Sequence, residues 1–534
     1  MNSKQLTVRG MVIGAIGSVI ITCSSMFIAL KLSSLPWPIM FVALFSMVCL
    51  KALGNTNLNE INVTHTAMSA GAMVAGGVAF TIPGIFILNP NAEISIVQLL
   101  VISLGGTALG LIFTALMRKY FVETQELPYA MGQAAAELLE VGDKGGKRAG
   151  LMFASFTAAG IFAVLRDWFM KIPATWISKS MMNFGSMGGF YISPMLVAIG
   201  YIVGPLFIGV WFFGALVGDV GILIFGQKFG FFDLQQATDI KQSLGLGMMV
   251  GTGVGILLKG ILPNAKQIFG AMFSKKNIGD SIVPMRWAPI FMLILVYILT
   301  SVCNFGVITS IIAILGVWLT TSMSSQCVGQ SGINPMEIFG IIVLLFAKTI
   351  SSLGDTEALL VAAIVAIACG LAGDVMNDFR AGHILKTDAK AQWIAEVIGG
   401  IIGAVVSVFV FYFLIKAYGG DAFSNGTFVA AQSHAVAAMI TGISNLPVFW
   451  AGLIIAAIMY CFNLPVMTFG LGVYLPFYLS ATAFLGGALR FVVDKFFPGF
   501  EKKSNGQIIA SGILGGEGVV GVVIAIIVAI KVIS

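Results

Sequence analysis

Of 534 residues, 58% are hydrophobic and 10% charged, against about 25% charged in an ordinary soluble domain, so the chain cannot cover a water-facing surface. Its net charge of +6 is spread through the gaps between apolar runs, unlike the concentrated basic face of a nucleic-acid binder. Six scattered cysteines lack CxxC or Cys/His spacing and read as small packing residues; residues 142–148 lack the spacing and Ser/Thr of a phosphate loop, so no ATP-driven engine is present.

Residues 61–92, 94–117, 180–218 and 287–336 contain no Asp, Glu, Lys or Arg. About 20 apolar residues at 1.5 Å per residue cover the roughly 30 Å of a bilayer's hydrocarbon. Met1 to Arg9 is short and polar, and the run 10–32 reads as a first span rather than a cleavable signal. Predicted spans follow at residues 36–53, 61–87, 94–117, 149–165, 190–203, 205–226, 243–262 and 287–303. Further spans lie at 306–323, 337–353, 356–373, 393–417, 447–462, 465–479, 480–494 and 507–532. Several are too short for a full crossing and read as broken or re-entrant helices. The expected fold is an all-α polytopic membrane protein of about 14–17 segments, with no soluble domain.

Lys and Arg cluster in 118–149, in 263–286 and at Lys495, Lys502 and Lys503, whereas 89–93 and 419–447 carry none. The positive-inside bias makes the first three cytoplasmic, with a cytoplasmic N-terminus in a plasma (cytoplasmic or inner) membrane. The stretch around Arg166, Lys171 and Lys179 does not sort. Closely spaced glycines, such as Gly245, Gly247 and Gly251 or Gly512, Gly515 and Gly516, suit close helix packing.

Function should then reside in the polar residues stranded within apolar runs. Asn62, His65, Thr66 and Ser69 share one face at the head of the third span, with Glu60 a turn before. Such a stripe needs protein or water for partners, because lipid offers none. It suits a substrate or proton path; the alternative, for Glu60 and Asn62 above all, is an interfacial helix start, with Glu60 favoured by the dipole. Residues 324–337 hold Gln326, Gln330, Asn334 and Glu337 with Gly329, Gly332 and Pro335, a broken helix or an external loop. Asp374 and Asp378 are four apart on one face with Arg380 beside them, in a relay or at a solvated helix end. Asn463-Leu464-Pro465 and Tyr474-Leu475-Pro476 imply a discontinuous helix pair. Glu137, Asp219, Glu396 and Glu517 are acids within or beside apolar runs, each a proton-relay candidate.

At these positions the chain resembles the oligopeptide transporter (OPT) family, which includes peptide carriers and the yellow stripe-like metal-chelate carriers. Glu60, Asn62, His65 and Thr66, running on to Phe80-Thr81-Ile82-Pro83, resemble its Glu-Asn-Asn…Gln-Thr segment ending Phe-Thr-Ile-Pro. Leu127-Pro128 through Gly132 to Glu137, and Gly200-Tyr201-Ile202-Val203-Gly204-Pro205, are similar to further family stretches. So are Gly373-Asp374 through Asp378 and Gly382 to Gln392, Leu464-Pro465 through Tyr474-Leu475-Pro476, and Ser511-Gly512 to Glu517. The set is in family order across nearly the whole chain. Two departures stand out: His65 replaces a usual Gln, and Met336-Glu337 replaces Ser-Gly after Asn334-Pro335. The peptide-carrier signatures of fungal and plant members are missing, as in a compact prokaryotic-type member. The resemblance implies about sixteen segments in two related halves, set here at 1–286 and 287–534, with alternating access and proton-coupled uptake.

The expected function is secondary active import of small peptides, modified peptides or metal–peptide chelates. Glu60, Asn62, His65, Thr66, Gln326, Gln330, Asn334, Asn463 and Tyr474 are expected on the substrate path, with Glu337, Glu517, Glu137 and Asp374 as proton carriers. The competing class is a gated channel for small solutes or ions. No intramembrane catalytic set is present, so an enzyme is not expected. Twenty-six Met and three His form no ligand cluster in sequence, and neither a resident metal nor a cofactor is expected. The expected partners are substrate, protons, lipid and, at most, a second copy in a homodimer, with no nucleic acid.

Overall fold

A computed structural model describes residues 5–32, 35, 39–144, 146–263, 282–283, 285–424, 428, 430–501 and 505–533. Of the predicted basic stretches, Lys266, Lys275, Lys276, Lys502 and Lys503 lie outside the described residues.

Helices dominate, as the apolar runs require once no water is available to satisfy backbone groups. In chain order they are α1 (Val8–Leu32), α2 (Ile39–Leu53), α3 (Leu58–Ala79), α4 (Pro83–Leu88), α5 (Ile96–Arg118), α6 (Ala130–Lys144) and α7 (Gly146–Ala163). A short antiparallel hairpin follows, β1 (Thr175–Ile177) against β2 (Gly189–Tyr191), with Trp176 opposite Phe190. Next come α8 (Pro194–Val203), α9 (Pro205–Ala215), α10 (Leu234–Gly255), α11 (Ala288–Val302) and α12 (Val307–Ser331). Then come α13 (Met336–Ile350), α14 (Asp355–Leu385), α15 (Ala389–Tyr418), α16 (Leu446–Cys461), α17 (Val466–Tyr474), α18 (Phe477–Phe496) and α19 (Asn505–Ile533), with short unnumbered helices at Lys179–Met182, Gly226–Lys228, Ala431–Ala438 and Pro498–Glu501. Among the described residues, nine helical stretches are long and apolar enough to cross a membrane, so this is a multi-pass membrane protein.

Local chemistry sets several helix starts. Asn57 caps α3 by accepting from the Glu60 amide; Ser95 with Gln98, and Asp233 with Gln236, form reciprocal capping boxes on α5 and α10. Gly332 ends α12 in the left-handed region at φ 71°, a conformation that costs glycine nothing.

One helix lies at the centre. The most apolar window of α14 is 100% buried inside the protein, so it faces helices all round and no lipid. It packs against α3, α5, α12 and α13, while α15 joins α3 and α5. These contacts are backbone-close. A Cβ on Gly77 of α3 would lie 2.5 Å from Ile367 Cα, and one on Gly106 of α5 2.7 Å from the Ile364 carbonyl oxygen, both on α14. Gly399 and Gly403 of α15 press likewise on Ala67 and Gly71 of α3.

Three sequence expectations change. Residues 118–149, expected to be one basic cytoplasmic stretch, contain α6, whose Ala134, Ala135, Ala136, Leu138 and Leu139 are buried; Gln133, Glu137 and Glu140 hide its apolar face from a linear reading. Residues 324–331 stay helical in α12, and the interruption narrows to 332–335. Residues 373–383 are not a solvated end: α14 continues unbroken to Leu385, and Asp374, Asn377 and Asp378 have no exposed surface.

Candidate functional site

Three neighbouring helices each offer a pair of polar side chains one turn apart. On α3 these are His65 and Ser69; on α14, Asp374 and Asp378; on α15, Gln392 and Glu396. All except Gln392, which bonds at the edge, bring their side chains to one point. His65 Nε2 lies 3.0 Å from Asp378 Oδ1, and Ser69 Oγ donates to Asp378 Oδ2 at 2.7 Å. Gln392 Nε2 donates to the Asp378 backbone carbonyl at 2.8 Å. One carboxylate oxygen from each of Asp374, Asp378 and Glu396 lies within 4.8 Å of the other two. His65 and the three acids are at 0% exposure.

The cluster is short of partners. Both oxygens of Asp374, both of Glu396 and His65 Nδ1 are buried without a well-formed hydrogen bond; the nearest polar groups are Ser69 for Asp374 and Asp378 for Glu396. Native proteins satisfy nearly all such groups, so orphans concentrated at one spot call for a functional account. Towards the end of α14 the polar column continues, with Asn62 Nδ2 donating to Thr387 Oγ1 at 2.9 Å and Thr387 to Asn59 Oδ1 at 2.8 Å. Thr66 closes on its own helix, donating to the Asn62 carbonyl at 2.9 Å.

In the other direction the column meets the interrupted helix. Pro335 lacks an amide to continue α12, and the short turn it forces hangs Asn334 beside α14. Asn334 Nδ2 donates to the Cys369 carbonyl at 2.8 Å, and Ser324 Oγ donates to Asn334 Oδ1 at 2.9 Å. That attachment is one helical turn from Asp374. On α12, Gln326 and Gln330 are buried, each with its Oε1 unpartnered. Glu337 opens α13 directly after the break, half-buried, and Tyr474 at the end of α17 is within electrostatic reach of it.

The structure thus gathers Asn62, His65, Thr66 and Asp374 in one column, with Gln326, Gln330, Asn334, Glu337 and Tyr474 around the helix break beyond it. Four other predicted residues stand apart. Glu60 sits at the head of α3 and accepts from Arg9 Nε at 2.8 Å, Arg9 Nη2 at 2.7 Å, Thr7 at 2.7 Å and Thr56 at 2.8 Å. Glu517 accepts from Arg166 Nη1, Ser193 Oγ and the Met195 amide, each at 2.7 Å. Glu137 accepts from Ser511 Oγ at 2.7 Å, and Asn463 Oδ1 from Lys259 Nζ at 2.7 Å. Asp219 is likewise paired, with Lys241 at 2.6 Å and Ser186 at 2.7 Å.

Sequence reasoning selects Asp374 but leaves Asp378, Glu396, Ser69 and Gln392 out of the expected site. The available signal is the repeated spacing of four, a polar pair on one face of an otherwise apolar helix, found on α3, α14 and α15.

Comparison with known proteins agrees with this architecture. The family model described as OPT oligopeptide transporter protein matches residues 5–528. A "Putative oligopeptide transporter" of Haemophilus influenzae is 23% identical over 604 residues, covering 95% of this chain and 93% of that one. "Metal-nicotianamine transporter YSL2" of Arabidopsis thaliana is 36% identical over 59 residues, 10% of this chain and 9% of its own length. "Probable metal-nicotianamine transporter YSL13" of Oryza sativa subsp. japonica is 25% identical over 181 residues, 28% of this chain and 24% of its own length. A family match across nearly every residue, on a multi-pass helical fold with a polar column buried at its centre, places this chain in the OPT oligopeptide transporter family, as a membrane transporter and not an enzyme.

Proposed function

We propose that this chain is a secondary active carrier that imports small peptides, modified peptides or metal–peptide chelates across the cytoplasmic membrane, coupled to protons, by alternating access. The observation that supports this most is the break at residues 332–335, fastened by Asn334 to the buried middle of α14 beside the unpartnered carbonyls of Gln326 and Gln330. Interrupted helices at a buried site are where many secondary carriers bind substrate, because the freed backbone groups and nearby amides can exchange partners. A peptide backbone is itself a row of donors and acceptors, and side-chain amides supply both kinds of complement. The names of its relatives, a putative oligopeptide transporter and metal-nicotianamine transporters, support amide-bearing or chelate cargo.

Glu337 is proposed as the proton carrier, standing at the break with Tyr474 in reach. Glu517 and Glu137 hold hydrogen-bond partners of their own, and Asp374 belongs to the carboxylate cluster. The halves 1–286 and 287–534 are proposed as the bodies whose relative movement opens the path to each side.

The test is uptake into proteoliposomes. Radiolabelled di- and tripeptides, glutathione and metal–nicotianamine complexes are each offered under an imposed pH gradient, acidic outside. Accumulation of one class above equilibrium, abolished by a protonophore, is expected. Uptake that never exceeds equilibrium would assign a channel instead, and no uptake of any class would overturn the proposal.

A further inference from the structure

We propose that Asp374, Asp378 and Glu396 form a binding site for one hard divalent cation, held at the core between α14 and α15. The inference rests on the cluster's own geometry and not on the transported substrate.

The charge balance comes first. Three carboxylates at 0% exposure share one locus, and a buried charge without a counter-charge is costly. Among the described residues no Lys or Arg forms an ion pair with any of the three, although such pairs neutralise Glu60, Asp219 and Glu517 elsewhere in the molecule. The basic group bonded here is His65 alone, on Asp378. A cation of charge two offsets most of what remains.

The second observation is independent of residue type. Asp374 and Glu396, with no exposed surface, have four carboxylate oxygens without a well-formed hydrogen bond, and their polar neighbours, Ser69 and Asp378, belong to the cluster itself. Asp378, by contrast, is fixed from behind: His65 and Ser69 each hold one of its oxygens. A carboxylate oriented by an imidazole and a hydroxyl, facing two others with free lone pairs, is how an ion site is commonly supported.

Geometry sets the size. An ion at the centre of three oxygens no more than 4.8 Å apart would lie at most 4.8/√3, about 2.8 Å, from each, and small side-chain rotations reach the 2.3–2.6 Å of calcium–oxygen bonds. The donors are all hard oxygens, which favours Ca²⁺, Mn²⁺ or Mg²⁺ over thiophilic metals. Cys369, five residues before Asp374, is not part of the donor set.

The experiment uses the full chain purified in detergent, stripped with EDTA, then titrated with CaCl₂, MnCl₂, MgCl₂ and, as a control, NaCl. Calorimetry and thermal unfolding report binding, and electron paramagnetic resonance reports bound Mn²⁺. Expected is saturable uptake of one divalent ion per chain with a raised unfolding temperature. In Asp374→Asn and Glu396→Gln, affinity should fall by at least about 10–100-fold. The ion-free variants should unfold at or above the temperature of the ion-free parent, since each removes one repelling charge; a merely structural role would lower it. The proposal is overturned by no saturable divalent binding to the parent, by an equal response to NaCl, or by undiminished binding in both variants. Since no step requires transport, binding without uptake would refute the carrier reading alone, and uptake without binding would refute the ion site alone.

Discussion

Gly106→Ala adds one methyl group where α5 crosses the central helix, and its effect can be worked from the contact. The new Cβ would stand 2.7 Å from the Ile364 carbonyl oxygen and 3.0 Å from Ile367 Cβ, where ordinary contact begins near 3.4 Å. The first obstacle is backbone in the middle of α14 and cannot rotate away, so the two helices must part by about 0.7 Å in an interior packed like a crystal. Overpacking of this kind costs about 1–3 kcal/mol. The disturbance travels further, because the Leu111 carbonyl on α5 accepts from Trp393 Nε1 at 3.0 Å, three residues before Glu396 on α15. Thermal unfolding in detergent measures the loss, with Gly209→Ala as the control. At Gly209, within α9, nothing lies within 4 Å of the added Cβ, so alanine should hold or gain about 0.4–1 kcal/mol through the unfolded chain. Gly110, one turn on, faces the Ala368 carbonyl oxygen at 2.9 Å. The double variant should lose less than the sum of the singles, because one displacement relieves both clashes. If Gly106→Ala unfolds at or above the parent's temperature while Gly209→Ala behaves as stated, backbone contact does not set the α5–α14 spacing.

Arg166→Met leaves the buried Glu517 without its counter-charge and should cost about 3–5 kcal/mol, read as a lowered unfolding temperature; adding Glu517→Gln should recover part of it. Asn334→Ala removes the donor to the Cys369 carbonyl and the acceptor for Ser324, with an expected cost of about 1–3 kcal/mol and a loss of uptake in proteoliposomes that outlasts restoration of stability by lower temperature. Glu337→Gln keeps the shape at the helix break while removing the proton carrier, so substrate should still equilibrate but should no longer accumulate under an imposed pH gradient.

The apolar runs were legible as helices because hydrocarbon imposes a length and forbids charge, and the helices α5, α11 and α15 lie within a few residues of the predicted spans. What linear hydropathy could not show was burial in protein as opposed to lipid. Helix α6 carries Gln133, Glu137 and Glu140 on one face, which reads as a loop until the opposite face is seen packed. Helix α14 looked complete at residue 373 because Asp374, Asp378 and Arg380 resemble a solvated end. Those charges are tolerated deeper because α3, α12 and α15 exclude water around them, a fact that belongs to tertiary packing alone. The same limit applies to the site. Glu60, Glu137, Glu396 and Glu517 are alike in sequence, each an acid beside an apolar run. Only the distances separate the three that meet Arg9, Ser511 and Arg166 from the one that meets two further carboxylates.

Glycines and acids, which sequence reading treats as separate signals for packing and for function, are interleaved here and depend on each other. On α15, Gly399 and Gly403 follow Glu396 at spacings of three and seven, on the side that meets α3. On α3, Ala67 and Gly71 flank Ser69 and receive those two glycines. Side chains any larger at these four positions would hold α3 and α15 apart, and His65 and Ser69 would no longer reach the carboxylate that Glu396 approaches from the other helix. His65 and Ser69 can therefore reach the acids only where the backbones of α3 and α15 are stripped of side chains. The repulsion among the acids acts between α14 and α15, while the small residues hold α15 against α3. A positive charge in the cluster, proton or metal ion, would relieve that repulsion at the level of Asp374, about one turn from the Asn334 fastening. The cluster and the interrupted helix thus meet on neighbouring turns of α14, Asp374 in the one and the Cys369 carbonyl held by Asn334 at the other.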